Sequence, residues 1–200
     1  MGGAHLWRRN LVWCLLALTV WVVPGLAAGA EFSAQMVLKY KDKLIPGRIF
    51  VKDGKMRQEF LDDEGHTITV VRQDKKVYWI ILPQDRVYLE LPLRGRLPGQ
   101  FLQLPTVSLK KRALGQEAVN GWETEKYEFT LLGGPSGVRR ETYWVSKKLG
   151  TPVKMTCTEK NLWLEYRNIR EGQVADRLFE LPPGYTKMAA PSGRLLEKWE

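Results

Sequence analysis

From Phe32 onward the chain alternates apolar and polar residues with a period of two, the mark of half-buried strands. Met36, Leu38 and Tyr40 share one face of a strand running from Phe32 to Lys41. Ile49 and Val51 alternate with Arg48 and Lys52, and Asp53-Gly54 then signals a type I′ hairpin. Met56, Gln58 and Phe60 follow against Arg57 and Glu59, up to the turn Asp62-Asp63-Glu64-Gly65. His66 to Arg72 carries Ile68 and Val70 on one face. Val77 to Leu82 is continuously apolar, which predicts a strand buried on both faces. Val87, Leu89 and Leu91 alternate with Tyr88 and Glu90. Six strands joined by short turns predict an antiparallel meander, because parallel neighbours need crossovers of about a dozen residues or more.

The pattern breaks between Leu93 and Leu114. Pro98 and Pro105 limit any helix there to short pieces. The segment reads as a long loop or lid, or as a solvated insertion. It mixes apolar Leu93, Leu97, Phe101 and Leu102 with the basic cluster Arg94, Arg96, Lys110, Lys111 and Arg112. Strands resume at Ala118-Val119 before the Asn120-Gly121 turn. Tyr127, Phe129 and Leu131 share a face. Gly133 to Gly137 forms a flexible tip, and Tyr143 with Val145 lies on the next strand. Val153, Met155 and Cys157 align, as do Leu162, Leu164 and Tyr166 beyond Lys160-Asn161. About eleven strands with one apolar face predict a mainly β protein: a curved antiparallel sheet forming an incomplete barrel, with short helical lid pieces.

The first thirty residues have a different character. Arg8 and Arg9 precede the thirteen-residue run Leu11 to Val23, which is apolar except for Thr19. Pro24-Gly25 then leads to Ala28-Gly29-Ala30. This is the layout of a signal peptide cleaved between Ala30 and Glu31, and the run is short for a span of about 20 residues. Residues 1–30 are therefore expected to be an export signal, 31–187 the folded domain and 188–200 a polar tail. Cys14 lacks the small neighbours of a lipid-attachment site, so the expected product is periplasmic and not lipidated.

Setting the leader aside changes the charge and cysteine readings. The whole chain has 200 residues, a net charge of +9 and two cysteines. Arg8 and Arg9 are two of its 31 basic residues, so 29 basic residues face 22 acidic ones after residue 30, a net of +7. The positive charges are interspersed with acids along the strands, and no nucleic-acid motif occurs. Nucleic acid is not expected as a partner. The central basic cluster suits an anionic lipid surface or an acidic envelope protein. Cys157 is left as a lone thiol on an apolar stripe, where it reads as a small buried hydrophobe.

Chemistry-bearing patterns are sparse. His66 is the one histidine after the leader, which leaves no His-based triad. Zinc, nucleotide and hydrolase-elbow signatures do not occur. Glu59, Glu90, Glu123 and Glu128 lie on polar strand faces beside Arg and Lys, where cross-strand pairing accounts for them. No enzyme activity, cofactor or metal is expected.

Several segments in order carry a resemblance: Phe32-Ser33-Ala34-Gln35-Met36, Gly47 to Arg57, Lys75 to Pro83, Asn120 to Tyr127, Tyr143-Trp144-Val145-Ser146, Gly150 to Met155 and Phe179 to Tyr185. Together they resemble the LolA/LolB-like superfamily of outer-membrane lipoprotein carriers, closest to an uncharacterised exported branch. The resemblance implies an incomplete barrel whose concavity holds acyl chains. A related branch senses envelope stress by binding lipids or regulators. The short, proline-rich central segment departs from true carriers. The implied partner is lipid or acylated protein, or else an envelope protein bound by a module with a filled core. Expected cavity residues are Met36, Leu38, Ile49, Val51, Met56, Phe60, Val77, Trp79, Val87, Leu89, Phe129, Tyr143, Met155 and Leu164. The alternative is that they fill a dry core.

Overall fold

A computed structural model describes residues 29–40, 42–62, 65–94, 97, 101–133 and 137–189. Residues 1–28, which hold most of the expected leader, residues 190–200, which hold most of the expected tail, and Arg96 lie outside them. The strands are β1 (Phe32–Tyr40), β2 (Lys43–Lys52), β3 (Lys55–Asp62), β4 (Gly65–Arg72), β5 (Val77–Leu82), β6 (Val87–Pro92), β7 (Lys110–Val119), β8 (Trp122–Leu132), β9 (Val138–Ser146), β10 (Pro152–Cys157), β11 (Leu162–Glu171) and β12 (Thr186–Lys187). All twelve belong to one sheet that is curved but not closed, in the order β12-β6-β5-β4-β3-β2-β1-β11-β10-β9-β8-β7.

Two local meanders, β1–β6 and β7–β11, make up almost all of this sheet. Short turns hold each together. Asp53 and Gly54 both adopt positive φ, 49° and 73°, as a type I′ turn requires; Asn120 and Gly121 do the same at 50° and 82°. The meanders meet at one non-local antiparallel pair, β1 with β11, where Met36 opposes Tyr166 and Leu38 opposes Leu164. Only β12 runs parallel to its neighbour, β6.

Residues opposed across antiparallel strands share a face. The register therefore assigns Met36, Gly47 and Phe60 to one inner row, and Ala34, Ile49 and Gln58 to the next. Gly47 is needed there: a Cβ would stand 2.7 Å from the Glu59 carbonyl oxygen and 2.9 Å from the Met36 methyl. Across the seam, the row of Leu38 continues through Leu164, Met155, Tyr143 and Tyr127. Phe32, Met36, Ile49, Phe60, Phe129, Tyr143, Met155 and Leu164 all join one buried core. Phe129 and Tyr143 meet edge to face at 5.6 Å.

The central segment differs from its expected form. Its described residues hold no helix; Phe101 and Leu102 instead enter the inner core in irregular backbone, with Leu93, Leu97 and Leu104 packed beside them. Lys110, Lys111 and Arg112 are not in the loop at all. They open β7, an edge strand exposed along nine of its ten residues. A strand with no buried face has no alternating pattern to reveal it. Among the described residues the one helical element is a four-residue 3-10 turn, Asp176–Phe179, on the opposite side of the sheet.

That outer side has its own core. Ile68, Val70, Trp79 and Ile81 face outward from β4 and β5 and are covered by Val174 and Phe179. Val77 also packs there. Val77 and Trp79 thus point away from the expected concavity: β5 is apolar on both faces, so its pattern cannot choose between them. Residues 172–189 cross this face as a strap. Arg57 donates to the Leu178 carbonyl at 3.0 Å, and Arg72 to the Phe179 carbonyl at 3.1 Å. Arg72 also grips Glu180 and Asp74, each at 2.6 Å. At the near end of the strap, Glu31 accepts from the backbone of Gly172 and Val174.

Candidate functional site

The central segment does not seal the inner face completely. Between residues 101–109 and strands β8–β11 it leaves a cavity of about 450 Å³. Phe101, Leu102, Leu104, Val107 and Leu109 form the wall on the segment side. Leu131, Tyr143, Met155 and Leu162 form the wall on the sheet side. The segment is positioned from below: Leu102 N–H donates to the buried Tyr166 hydroxyl at 3.4 Å, and Leu109 N–H donates to the Thr130 carbonyl at 2.8 Å. Burial pushes the Tyr166 phenol well above its ordinary pKa, so it stays protonated.

Polar groups stand on both sides of this space, Gln103, Thr106 and Ser108 on the segment and Glu141 with its neighbours on the sheet. Glu141, on the inner face of β9, is buried and accepts from Arg139 Nε at 2.7 Å and from the Tyr143 hydroxyl at 2.7 Å. Arg139 and Lys160 also border the cavity. Lys111 lies 4.3 Å from the centre of the Tyr127 ring on the same face. The arrangement can hold an elongated apolar group and present cations to a polar head.

Of the expected cavity residues, Tyr143 and Met155 line this space. Met36, Leu38, Ile49, Phe60, Phe129 and Leu164 are buried in the inner core, with Val51 and Met56 half-buried against it. Val87 and Leu89 are half-buried on the inner face of β6 and do not line the cavity. Val77 and Trp79 belong to the outer core. The sequence reading missed the contribution of Leu104, Val107 and Leu109, although the pair Phe101-Leu102 already marked the segment as core-seeking. Of the basic cluster, Arg94 is exposed near the end of β6, while Lys110, Lys111 and Arg112 are exposed on β7.

Other chemistry-bearing residues are engaged structurally. Arg57 meets Glu59 at 2.7 Å, Lys187 meets Glu90 at 2.7 Å and Arg112 meets Glu128 at 3.0 Å. Cys157 is 1% exposed, and burial pushes its thiol pKa up. His66 borders a second, more open depression of about 350 Å³ with Arg48, Glu59 and Phe60. Among the described residues, no group of three or more His, Cys, Asp or Glu is placed to hold a metal ion.

No protein-family model and no curated protein sequence matches the chain. Solved structures do. An uncharacterised conserved protein from Thermus thermophilus matches with a TM-score of 0.57 and 12% identity, covering 80% of this chain and 90% of that one. The MucA/MucB complex from Pseudomonas aeruginosa matches with a TM-score of 0.51 and 15% identity, covering 76% of this chain and 56% of that one. The chain thus spans little more than half the length of the latter. A LolA superfamily protein from Nitrosomonas europaea matches at a TM-score of 0.34 and 12% identity, over 78% of this chain and 91% of that one. Its score is too low to carry weight by itself. At these identities the likeness is one of fold. It accords with the expected incomplete antiparallel barrel.

Proposed function

We propose that this chain is an exported, periplasmic, non-catalytic binding protein that holds an acyl chain of a lipid or lipidated protein in the cavity beside the central segment, in envelope lipid or lipoprotein transport or maintenance. The observation that carries this reading is the cavity itself. Its volume of about 450 Å³ falls within the ordinary range for small-ligand sites, about 300–1,000 Å³. Leu102, Leu104, Val107, Leu109, Leu131 and Leu162 give it an aliphatic stretch between polar borders. Each buried methylene contributes about 0.8 kcal/mol, so one acyl chain binds usefully without a specific polar contact. The leader-like residues 1–30 support export. Because Phe101 and Leu102 already fill the centre of the inner face, the site takes a single chain at one side.

Native mass spectrometry of protein recovered from the soluble exported fraction, followed by lipid extraction, tests this. The expected result is a bound acyl lipid, and reduced uptake of a fluorescent fatty acid by Leu104→Trp, which fills the cavity. Finding neither bound lipid nor probe uptake would overturn the reading. The second reading is a protein-interaction or sensor module. It is favoured by β7, a long edge strand with no further neighbour in the sheet, to which an extended peptide could add. Stable capture of an envelope protein by lipid-free material would favour it.

A further inference from the structure

Large apolar side chains on this surface are segregated. Nine are exposed among the described residues, and seven of these lie at one end of the sheet. Val107 and Leu109 lead into β7, and Leu132 and Val138 flank the β8–β9 tip; Val107 is 83% and Leu132 71% exposed. Tyr40, Leu44 and Leu61 stand at the same end of β1, β2 and β3. At the opposite end, the turns at 53–54, 73–76, 120–121 and 147–151 expose no large apolar side chain. A sheet that merely tolerated stray surface apolar residues would scatter them singly over both ends.

The same end carries positive charge on its β7–β11 half. Lys110 and Lys111 directly follow Leu109, Arg139 and Arg140 follow Val138, and Lys160 caps the β10–β11 turn. Glu141 takes Arg139, and Glu159 takes Arg140 at 3.4 Å. Lys110 and Lys160 make no ion pair among the described residues. Val107, Leu109 and Leu132 also border the cavity, as do Arg139 and Lys160. The apolar tips, the cations and the cavity mouth therefore coincide.

We propose that this end of the β7–β11 half is a docking surface for an anionic lipid bilayer. Apolar side chains on separate tips can each enter the acyl boundary, while the lysines meet lipid phosphates. A protein partner would instead be met by a contiguous buried patch with a polar rim. On the β1–β6 half of this end Asp42 and Asp85 are matched by Lys43 and Arg86, which leaves the excess of positive charge on the β7–β11 half. Docking there opens the cavity directly to the bilayer, so an acyl chain would pass between them without crossing water. Leu109, Leu132 and Lys160 also border the cavity, so Val138→Asp/Lys110→Glu, which spares it, must weaken vesicle binding too for docking rather than acyl uptake to be the cause.

The experiment is co-sedimentation with vesicles, using protein from the soluble exported fraction whose mass places its start at or after Glu31. Phosphatidylglycerol-containing vesicles should bind it, and pure phosphatidylcholine vesicles should bind it weakly. Leu109→Asp/Leu132→Asp and Lys110→Glu/Lys160→Glu should each weaken binding about tenfold. All four positions are exposed, so an unchanged melting temperature is expected of both. Lys147→Glu, at the opposite end, should bind as the parent does. Binding that both double variants leave unchanged would overturn the proposal. So would a Lys147→Glu loss as large as theirs, which would mark a general charge effect. Retention on an immobilised acidic peptide without any vesicle binding would assign the surface to a protein and equally overturn it.

Discussion

On β4 and β5 the outer face of the sheet lies under residues 172–189. On β8–β10 the described residues place no second layer over it. Each half must still keep a large aromatic dry. In the first half Trp79 is buried beneath the strap, with its indole N–H donating to Glu90 at 3.0 Å. In the second, Trp144 is only 6% exposed. Lys126 and Lys154 oppose it from the neighbouring strands and stand 4.7 and 4.5 Å from its ring. The difference shows two ways to finish a sheet. A chain segment supplies apolar cover, and long cationic side chains supply it by laying their methylenes over the ring with their heads in water. It also accounts for much of the positive charge. Lys52, Lys55, Arg57, Arg72 and Lys75 bind the strap or its neighbours, and Lys126 and Lys154 cover the tryptophan.

The comparison can be broken most severely at Phe179, which is fully buried under the strap. Phe179→Ala should cost about 3–5 kcal/mol by leaving a cavity, read by urea denaturation. Arg72→Ala should cost about 2 kcal/mol, since it removes charge-assisted hydrogen bonds to Phe179, Glu180 and Asp74. It should also speed proteolysis within residues 172–189 while leaving β7–β11 protected. On the other half, Lys126→Ala/Lys154→Ala should cost only about 1 kcal/mol but shift Trp144 fluorescence to the red. An equally large loss in both halves would mean that the strap gives no more cover than the lysine stems.

The smallest effect is one of pH. Hydrogen bonds from Arg72 hold the Asp74 carboxyl down at about 2. A carboxylate depressed by folding stabilises the fold above its unfolded pKa of about 3.9. That contribution is lost as pH falls toward 2. Between about pH 4 and 2, the melting temperature of the parent should therefore fall more steeply than that of Asp74→Asn. Parallel curves would remove Asp74 from the strap's anchorage.

Local elements were readable wherever one face is buried and the other wet. The hairpins at Asp53-Gly54 and Asn120-Gly121, and the inner rows through Met36 and Tyr143, follow from alternation and turn chemistry. Three features escaped for physical reasons. Strand β5 is apolar on both sides, so Trp79 could not be assigned a face without its partner Val70. Strand β7 is exposed on both sides, so Lys110-Lys111-Arg112 looked like loop. The strap is short and irregular; its value lies in carbonyls that accept from distant arginines, which no local pattern encodes. The cavity depends on where residues 101–109 settle. That is set by the Tyr166 hydroxyl and the β8 backbone rather than by the segment's own periodicity.

The pairing of β1 with β11 has a consequence for how the chain reaches this state. Phe32 opposes Glu171, so the first strand and the last long strand are joined at the middle of the sheet. The hairpins on either side are short-range and can form early. The seam has a high contact order and must wait until residue 171 is free to pair. Synthesis from the N-terminus therefore yields half-sheets before it yields a core. With β1 lacking its partner until the end, the nascent chain stays loosely folded for most of its elongation. On the export proposed above, that delay would keep the chain in a state that can be threaded through a membrane pore.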